Sequence, residues 1–282
     1  MTQTLCIGTL LRLPEITPER LQFLRQAGLE CCQLARVGED WLHGSQGADN
    51  SAALMRLLAD NAIRPVSVFL SFPAQRFTAD GGGFGLTPPQ PRAGRIVSAC
   101  RQMLWAGKYH IKFITCHVGK MPASDGNEYE QLIDDLRQLA RFANENGQRF
   151  LFETGPESAA ELQKTFNDIG MDNVGVNFDP ANLLIYNQDD PSDFLKLLAE
   201  RVAVVHCKDG RRPEKAGEMG KETPLGEGDT RFAALMAQLV GGGFRGPLII
   251  ERELPLGPEQ QRDVAEAIGW LKQLRQELLP QA

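Results

Sequence analysis

The sequence predicts a single (β/α)8 barrel of the TIM type, and three observations predict it. Eight short apolar, β-branched runs recur along the 282 residues, the hydrophobic period between them changes to about 3.6, and no linker or break in composition divides the chain. Parallel strands need crossover connections, and right-handed crossovers close into a barrel at eight. A doubly wound open sheet is the alternative arrangement for the same alternation.

The first run is TLCIGTL, from Thr4. TPERLQFLRQAGLE follows it, where a proline near the start and a glycine at the end bracket an amphipathic helix. The next three runs are CCQLAR from Cys31, IRPVSVFLSF from Ile63 and IKFITCHVG from Ile111. A second capped helix, EYEQLIDDLRQLARFANENG, leads into RFLFET from Arg149. VGVNFDP from Val174, VAVVHCKD from Val202 and GPLIIERE from Gly246 complete the eight.

Two longer loops follow strands, at residues 73–92, with GGGFGLTPPQP, and at 209–229, DGRRPEKAGEMGKETPLGEGD. In a barrel both lie on the C-terminal face where active sites are built, either as a lid over a substrate or as plain surface. GGGFG matches neither the phosphate-loop nor the dinucleotide glycine spacing, so no phosphate is assigned to it.

Composition excludes several classes of function. A net charge of −6, a pI near 5.4 and no Lys/Arg run longer than GRR disfavour nucleic acid and other polyanions as partners. The N-terminus lacks the features of a secretory signal and no stretch of about 18 apolar residues occurs, which predicts a cytoplasmic protein with no membrane span. The six cysteines lie mostly in apolar runs without CxxC spacing and read as reduced, buried thiols.

The last four strands each end on a group able to bind a metal: Glu153 in LFETG, Asp179 in NFDPAN, His206 in VVHCKDG and Glu251 in IIERE. A charge at the end of an apolar strand is expensive unless it is paired, hydrogen-bonded or metal-bound. Period-two alternation puts Leu151 with Glu153, Asn177 with Asp179, Val204 with His206 and Ile249 with Glu251 on one face, directed at the barrel axis. Three carboxylates and one imidazole form a hard, oxygen-rich set suited to one divalent cation, Mn2+, Mg2+ or Co2+, with Zn2+ as a further candidate. A purely structural polar cluster is the competing reading.

FETG, GVNFDPAN, VHCKDG, PLGEGD and GPLIIERE, in this order and spacing, resemble the sugar phosphate isomerase/epimerase family with the xylose-isomerase-like barrel. The similarity covers nearly the whole chain, and its specific part is the C-terminal half. The resemblance to ketose 3-epimerases implies that Glu153, Asp179, His206 and Glu251 hold one divalent ion, Mn2+ first. It further implies that Glu153 and Glu251 carry out proton abstraction next to a carbonyl, through a metal-stabilised enediolate. The expected substrate is a small carbohydrate, and a homo-oligomer is open because relatives are often dimers or tetramers. The pattern departs at Asn182, where several ketose epimerases place a histidine that touches substrate. An amide hydrogen-bonds but does not titrate.

Other candidates for substrate contact are His117, Lys208, Glu157 and Glu227. His117 ends the fourth strand on the inward parity. Lys208 shares parity with His206 and can reach substrate or pair with Asp209 or Glu251. Glu157 can equally be a first-turn helix acid. Glu227 precedes a helix that Asp229 or Thr230 would cap. Arg252, of opposite parity to Glu251, is expected to pair with the helical layer, and His43 and His110 read as ordinary surface or packing residues.

Competing functions are a metal-dependent keto-sugar or keto-inositol dehydratase, a non-catalytic sugar-binding barrel, and an apurinic endonuclease. The last needs several histidines for a zinc cluster, and this chain has four in all.

Overall fold

A computed structural model describes residues 5–73, 75, 78, 83–215 and 217–279. The eight predicted runs form eight parallel strands: β1 (Ile7–Arg12), β2 (Cys31–Ala35), β3 (Arg64–Phe69), β4 (Phe113–Cys116), β5 (Arg149–Glu153), β6 (Val174–Phe178), β7 (Val202–Cys207) and β10 (Leu248–Ile250). They close into a barrel in the order β1-β10-β7-β6-β5-β4-β3-β2. The open-sheet alternative is thereby excluded. Closure leaves no strand edge unpaired, and every strand end on one rim faces a common axis.

The long segment after β7 also forms two short strands, β8 (Asp209–Arg211) and β9 (Lys221–Thr223), paired antiparallel. Three-residue strands carry too little alternation to stand out in a glycine-rich sequence. Of the 73–92 segment, residues 74, 76, 77 and 79–82 lie outside the described residues. Its end is tied down: Leu86 and Thr87 both donate to the Val118 carbonyl, at 2.6 and 3.1 Å.

Ten helices are described: α1 (Pro18–Ala27), α2 (Glu39–Leu42), α3 (Gly44–Asp60), α4 (Pro89–Lys108), α5 (Asn127–Glu145), α6 (Ala159–Ile169), α7 (Pro180–Ile185), α8 (Pro191–Leu198), α9 (Phe232–Gly241) and α10 (Pro258–Leu278). Their ends follow from local chemistry. Thr17 caps α1 through the Arg20 amide, Pro18 opens it, and Gly28 closes it at φ 93°. Ser158 and Glu161 form a reciprocal capping box on α6. Among the described residues, no helix is long and apolar enough to cross a membrane.

Apolar side chains fall into two compartments. A large one, including Phe150, Phe152, Phe166 and Phe178, fills the space between barrel and helices. A smaller one inside the barrel holds Leu10, Cys31, Val66, Leu151, Val204 and Ile249. Leu151, Val204 and Ile249 are the residues assigned inward by alternation. The inner layer continues into polar side chains, Gln33, Ser67, Thr115, Asn177 and His206, all fully buried.

The six cysteines are free thiols, five of them buried. Although no CxxC spacing exists, the fold brings Cys31 Sγ within 3.2 Å of Cys6 Sγ across β1 and β2.

Gly8, in β1, leaves room for that contact. A Cβ there would lie 2.7 Å from the Cys31 carbonyl oxygen and 2.9 Å from Ile249 Cδ1. Because one obstacle is backbone, Gly8→Ala is expected to destabilise the barrel by about 1–3 kcal/mol. Urea unfolding of the two proteins checks this.

Candidate metal centre and active site

Glu153 is the last residue of β5, Asp179 follows β6, His206 lies in β7 and Glu251 follows β10. Each offers one ligand atom, and these atoms all lie within 4.8 Å of one another. The first three side chains are fully enclosed and Glu251 nearly so. His206 Nδ1 stands 2.9 Å from Glu153 Oε1, 3.3 Å from Glu251 Oε2 and 3.8 Å from Asp179 Oδ2.

The tautomer of His206 is set from behind. Its Nε2 is 2.7 Å from Gln33 Oε1. The Gln33 amide nitrogen in turn donates to Ser67 Oγ at 2.9 Å and Thr115 Oγ1 at 3.1 Å, so the amide oxygen must face the histidine. Nε2 is therefore the donor, and Nδ1 is directed to the carboxylates.

Glu153 Oε2, Asp179 Oδ2 and His206 Nδ1 are buried and make no hydrogen bond among the described residues. Orphaned buried polar atoms cost about 1–3 kcal/mol each in the absence of a partner. Three converging on one point, in a set of hard oxygens and one imidazole, suit a divalent cation. This buried cluster of three acids and a histidine can bind a metal ion.

Asp179 is placed by the turn it starts. Its backbone N–H donates to Thr154 Oγ1 at 2.7 Å, and Oδ1 accepts from the Asn182 amide at 3.0 Å as the N-cap of α7. Pro180 sits at the first helical position, where no amide hydrogen is needed. One oxygen caps the helix, and Oδ2 is left for the cluster.

Asn182 bridges two of the charges. Its Nδ2 donates to the Thr154 carbonyl at 3.1 Å and to Glu153 Oε1 at 3.4 Å, while Oδ1 accepts from Lys208 Nζ at 3.2 Å. Only a side chain with both a donor and an acceptor end can do this.

Lys208 is buried and does not pair with Asp209. It donates to Glu253 at 2.7 Å and Glu251 at 3.1 Å, and stands 3.6 Å from Asp179. Burial alone would lower its pKa, but Glu251, Glu253 and Asp179 outweigh that and hold it well above the ordinary lysine value. Glu251 is pushed up by burial, but Lys208 and His206 pull it well below the usual carboxylate range. Glu153 goes the other way: burial raises it, against the pull of His117 and His206. The same carboxylates hold His206 above its ordinary value although burial opposes this.

His117 follows β4, with Nε2 3.5 Å from Glu153 Oε2 and its ring edge-on to Phe69 and Phe84. Glu157 lies before α6, whose cap is Ser158, so it is not a first-turn acid. It is buried, and burial pushes its pKa up to about 8.

Glu227 is not brought to the cluster. It is exposed, and its carbonyl accepts from Arg211. The neighbouring glycines instead fit around Asp209, which accepts from Gly226 N, Thr230 N and Thr230 Oγ1. A Cβ at Gly228 would meet Asp209 Oδ1 at 2.2 Å. Thr230 is thus spent on Asp209, and Arg231, not Asp229 or Thr230, occupies the N-cap of α9. Arg252 pairs with Asp263 of α10 at 2.9 Å and Glu222 at 3.0 Å, as its parity implied.

A cavity of about 780 Å3 opens over the cluster. His117, Asn182, Tyr186, Lys208, Glu251 and Glu253 line it together with the apolar Leu10, Phe69 and Phe72. Sequence reasoning missed Gln33, Glu253 and Tyr186. Gln33 is a polar residue at inward parity inside the apolar CCQLA, and Glu253 shares the parity of Glu251; both signals were present. Tyr186 had none.

Gln33→Leu is expected to weaken Mn2+ binding about 10–100-fold with the fold retained, because the ligand histidine loses the acceptor that orients it. Isothermal titration checks this. Binding is also expected to release protons and to weaken as pH falls, since the raised pKa of His206 means a proton must leave before Nδ1 can bind a cation.

Comparison with known proteins gives a consistent picture. The family model for the xylose isomerase-like TIM barrel matches residues 21–274. Inosose dehydratase 2 of Bacillus cereus is 26% identical over 148 residues, 47% of this chain and 49% of that protein. The chain thus spans about half the length of the curated relatives it matches. A xylose isomerase domain protein from Planctomyces limnophilus is 26% identical over 99% of both chains, with a TM-score of 0.89. A D-tagatose 3-epimerase-like protein shares the fold at 17% identity and a TM-score of 0.71, over 99% of this chain and 98% of that one. The chain belongs to the xylose isomerase-like TIM barrel family.

Proposed function

We propose that this protein is a divalent-metal-dependent enzyme that moves a proton at the carbon next to the carbonyl of a ketose or keto-polyol, as a sugar isomerase or epimerase. The observation that carries it is the pair Glu153 and Glu251, which flank His206 at 2.9 and 3.3 Å within the cluster that can hold a metal ion. Two carboxylates so placed are suited to acid and base roles.

Glu153, Asp179, His206 and Glu251 would hold the ion, with Mn2+ first and Mg2+, Co2+ or Zn2+ as alternatives. The ion supplies Lewis-acid stabilisation of the negative charge that develops when the carbon beside a carbonyl loses its proton. Glu251, kept ionised by Lys208, serves as the base. Glu153 serves as the acid and returns a proton from its own strand's side, which inverts the carbon. His117, Asn182 and Lys208 line the cavity and contact substrate oxygens. Glu157, buried nearby with its carboxyl pushed up to about 8, chiefly by burial, is a further candidate for contact with substrate. Leu10, Phe69 and Phe72 exclude water from one wall.

A second outcome is favoured by the name of the Bacillus cereus relative and by Lys208. After the same proton removal, this cation, hydrogen-bonded to Glu251, protonates a departing hydroxyl, and the product is dehydrated.

Metal-loaded protein incubated with a panel of ketoses and an inosose in D2O is expected to place deuterium next to the carbonyl, followed by NMR. Retained carbon skeletons with inverted configuration mark the epimerase, and loss of water marks the dehydratase. No exchange with any substrate, while Glu153→Gln binds Mn2+ as tightly as the wild type, would sink the proton-transfer reading. Where exchange occurs, Glu251→Gln is expected to lower it at least about 100-fold.

A further inference from the structure

Beyond the metal end, the cavity is lined by two arginines, Arg12 at the end of β1 and Arg36 just after β2. Arg12 is in register with Ala35, which places the two side by side on the rim. We propose that Arg12 and Arg36 form a subsite for an anionic substituent of the substrate, a carboxylate or a phosphate ester. The proposal deepens the reading above and rests on it, because the substituent belongs to the sugar whose carbonyl end lies at the metal cluster.

The charge balance at this rim is uneven. Three guanidiniums gather on one carboxylate, Glu15. Arg20 is buried and takes it closely, with Nη1 3.4 Å from Glu15 Oε2 and 3.3 Å from the Glu15 carbonyl. Arg12 and Arg36 stand farther off, at 3.7 and 3.9 Å. Among the described residues neither of these two guanidiniums makes a hydrogen bond, although each carries five donors. Glu39, which also lines the cavity, is occupied by His43 and Arg101. Among the described residues this leaves a net positive patch whose planar donors make only distant ion pairs, in the wall of a cavity, the arrangement that recognises carboxylate or phosphate.

Two further observations agree. Arg36 adopts a left-handed backbone conformation, φ 59°, that side chains other than glycine rarely take. Its amide is held there by Ser71 Oγ at 3.0 Å, and Ser71 itself lines the cavity. Such conformations persist where the surroundings impose them, and they concentrate at ligand sites. The cavity, at about 780 Å3, is also larger than one sugar ring requires, and it lies within the roughly 300–1,000 Å3 of pockets that take extended ligands. A substrate with hydroxyls at one end and a charge at the other would be oriented by the two ends of the site.

The test is calorimetric titration of metal-loaded protein with D-fructose, D-fructose 6-phosphate and 5-keto-D-gluconate, which share a ketose frame and carry no charge, a phosphate and a carboxylate. At least one anion is expected to bind 10-fold or more tighter than D-fructose, and which one identifies the substituent. Arg12→Gln/Arg36→Gln is expected to abolish that preference while leaving D-fructose binding unchanged, which also shows that the variant folds. Equal binding of all three, binding of none, or a preference that survives the double substitution overturns the subsite. Binding is read apart from turnover. An anion preference without deuterium exchange in any bound sugar would overturn the proposed function alone, and exchange without the preference would overturn the subsite alone.

Discussion

The constraint on which the rest of the structure depends is the burial of three carboxylates and an imidazole within a few ångströms of one another at the barrel mouth. Like charges at that distance repel, and each loses its hydration. The surrounding residues answer this residue by residue. Lys208 sits against Glu251, Glu253 and Asp179. His206 stands between Glu153 and Glu251, and Asn182 donates to Glu153 while accepting from Lys208. What these contacts leave unsatisfied is one oxygen each on Glu153 and Asp179 and the Nδ1 of His206. A cation would complete them.

The same constraint explains why backbone devices crowd into this part of the chain. Asp179 serves twice, with one oxygen as the cap of α7 and the other in the cluster, so the short turn after β6 locks the ligand's rotamer. Thr154 clasps the Asp179 backbone from the neighbouring strand in both directions, at 2.7 and 2.8 Å. Below the cluster, Gln33, Ser67, Thr115 and Asn177 form a connected polar layer that ends on His206, replacing the apolar packing found farther down the barrel. Buried networks of this kind hold their members in one arrangement, and here each supports the next, with Asn177 Nδ2 left without a partner among the described residues.

Around this centre the cavity is chemically divided. One part carries the acids and Lys208, another the aromatic and aliphatic wall, and a third the guanidiniums of Arg12 and Arg36. The acids and Lys208 come from strand ends other than those that carry Arg12 and Arg36, so the cluster and the charge at the rim can vary separately. Membership of the xylose isomerase-like family accounts for the scaffold. The loops that complete the cavity set its shape and its chemical lining.

By itself, the sequence determined the eight strands and the inward parity of Glu153, Asp179, His206 and Glu251, while their closure was an expectation that the structure decided against an open sheet. Strand period and the apolar character of the runs are local properties, and four ligand-type residues at consecutive strand ends need no long-range contact to be noticed. Only the tertiary structure decided the rest, because it depends on residues far apart in the chain meeting at one place. Gln33 reaches His206 across 173 positions, Asn182 joins Glu153 to Lys208, and Glu253 becomes a partner of Lys208. Glu227, by contrast, looked promising between its glycines, but Gly226 donates its amide to Asp209 and Gly228 packs against the same carboxylate, and the turn they make leaves the acid exposed.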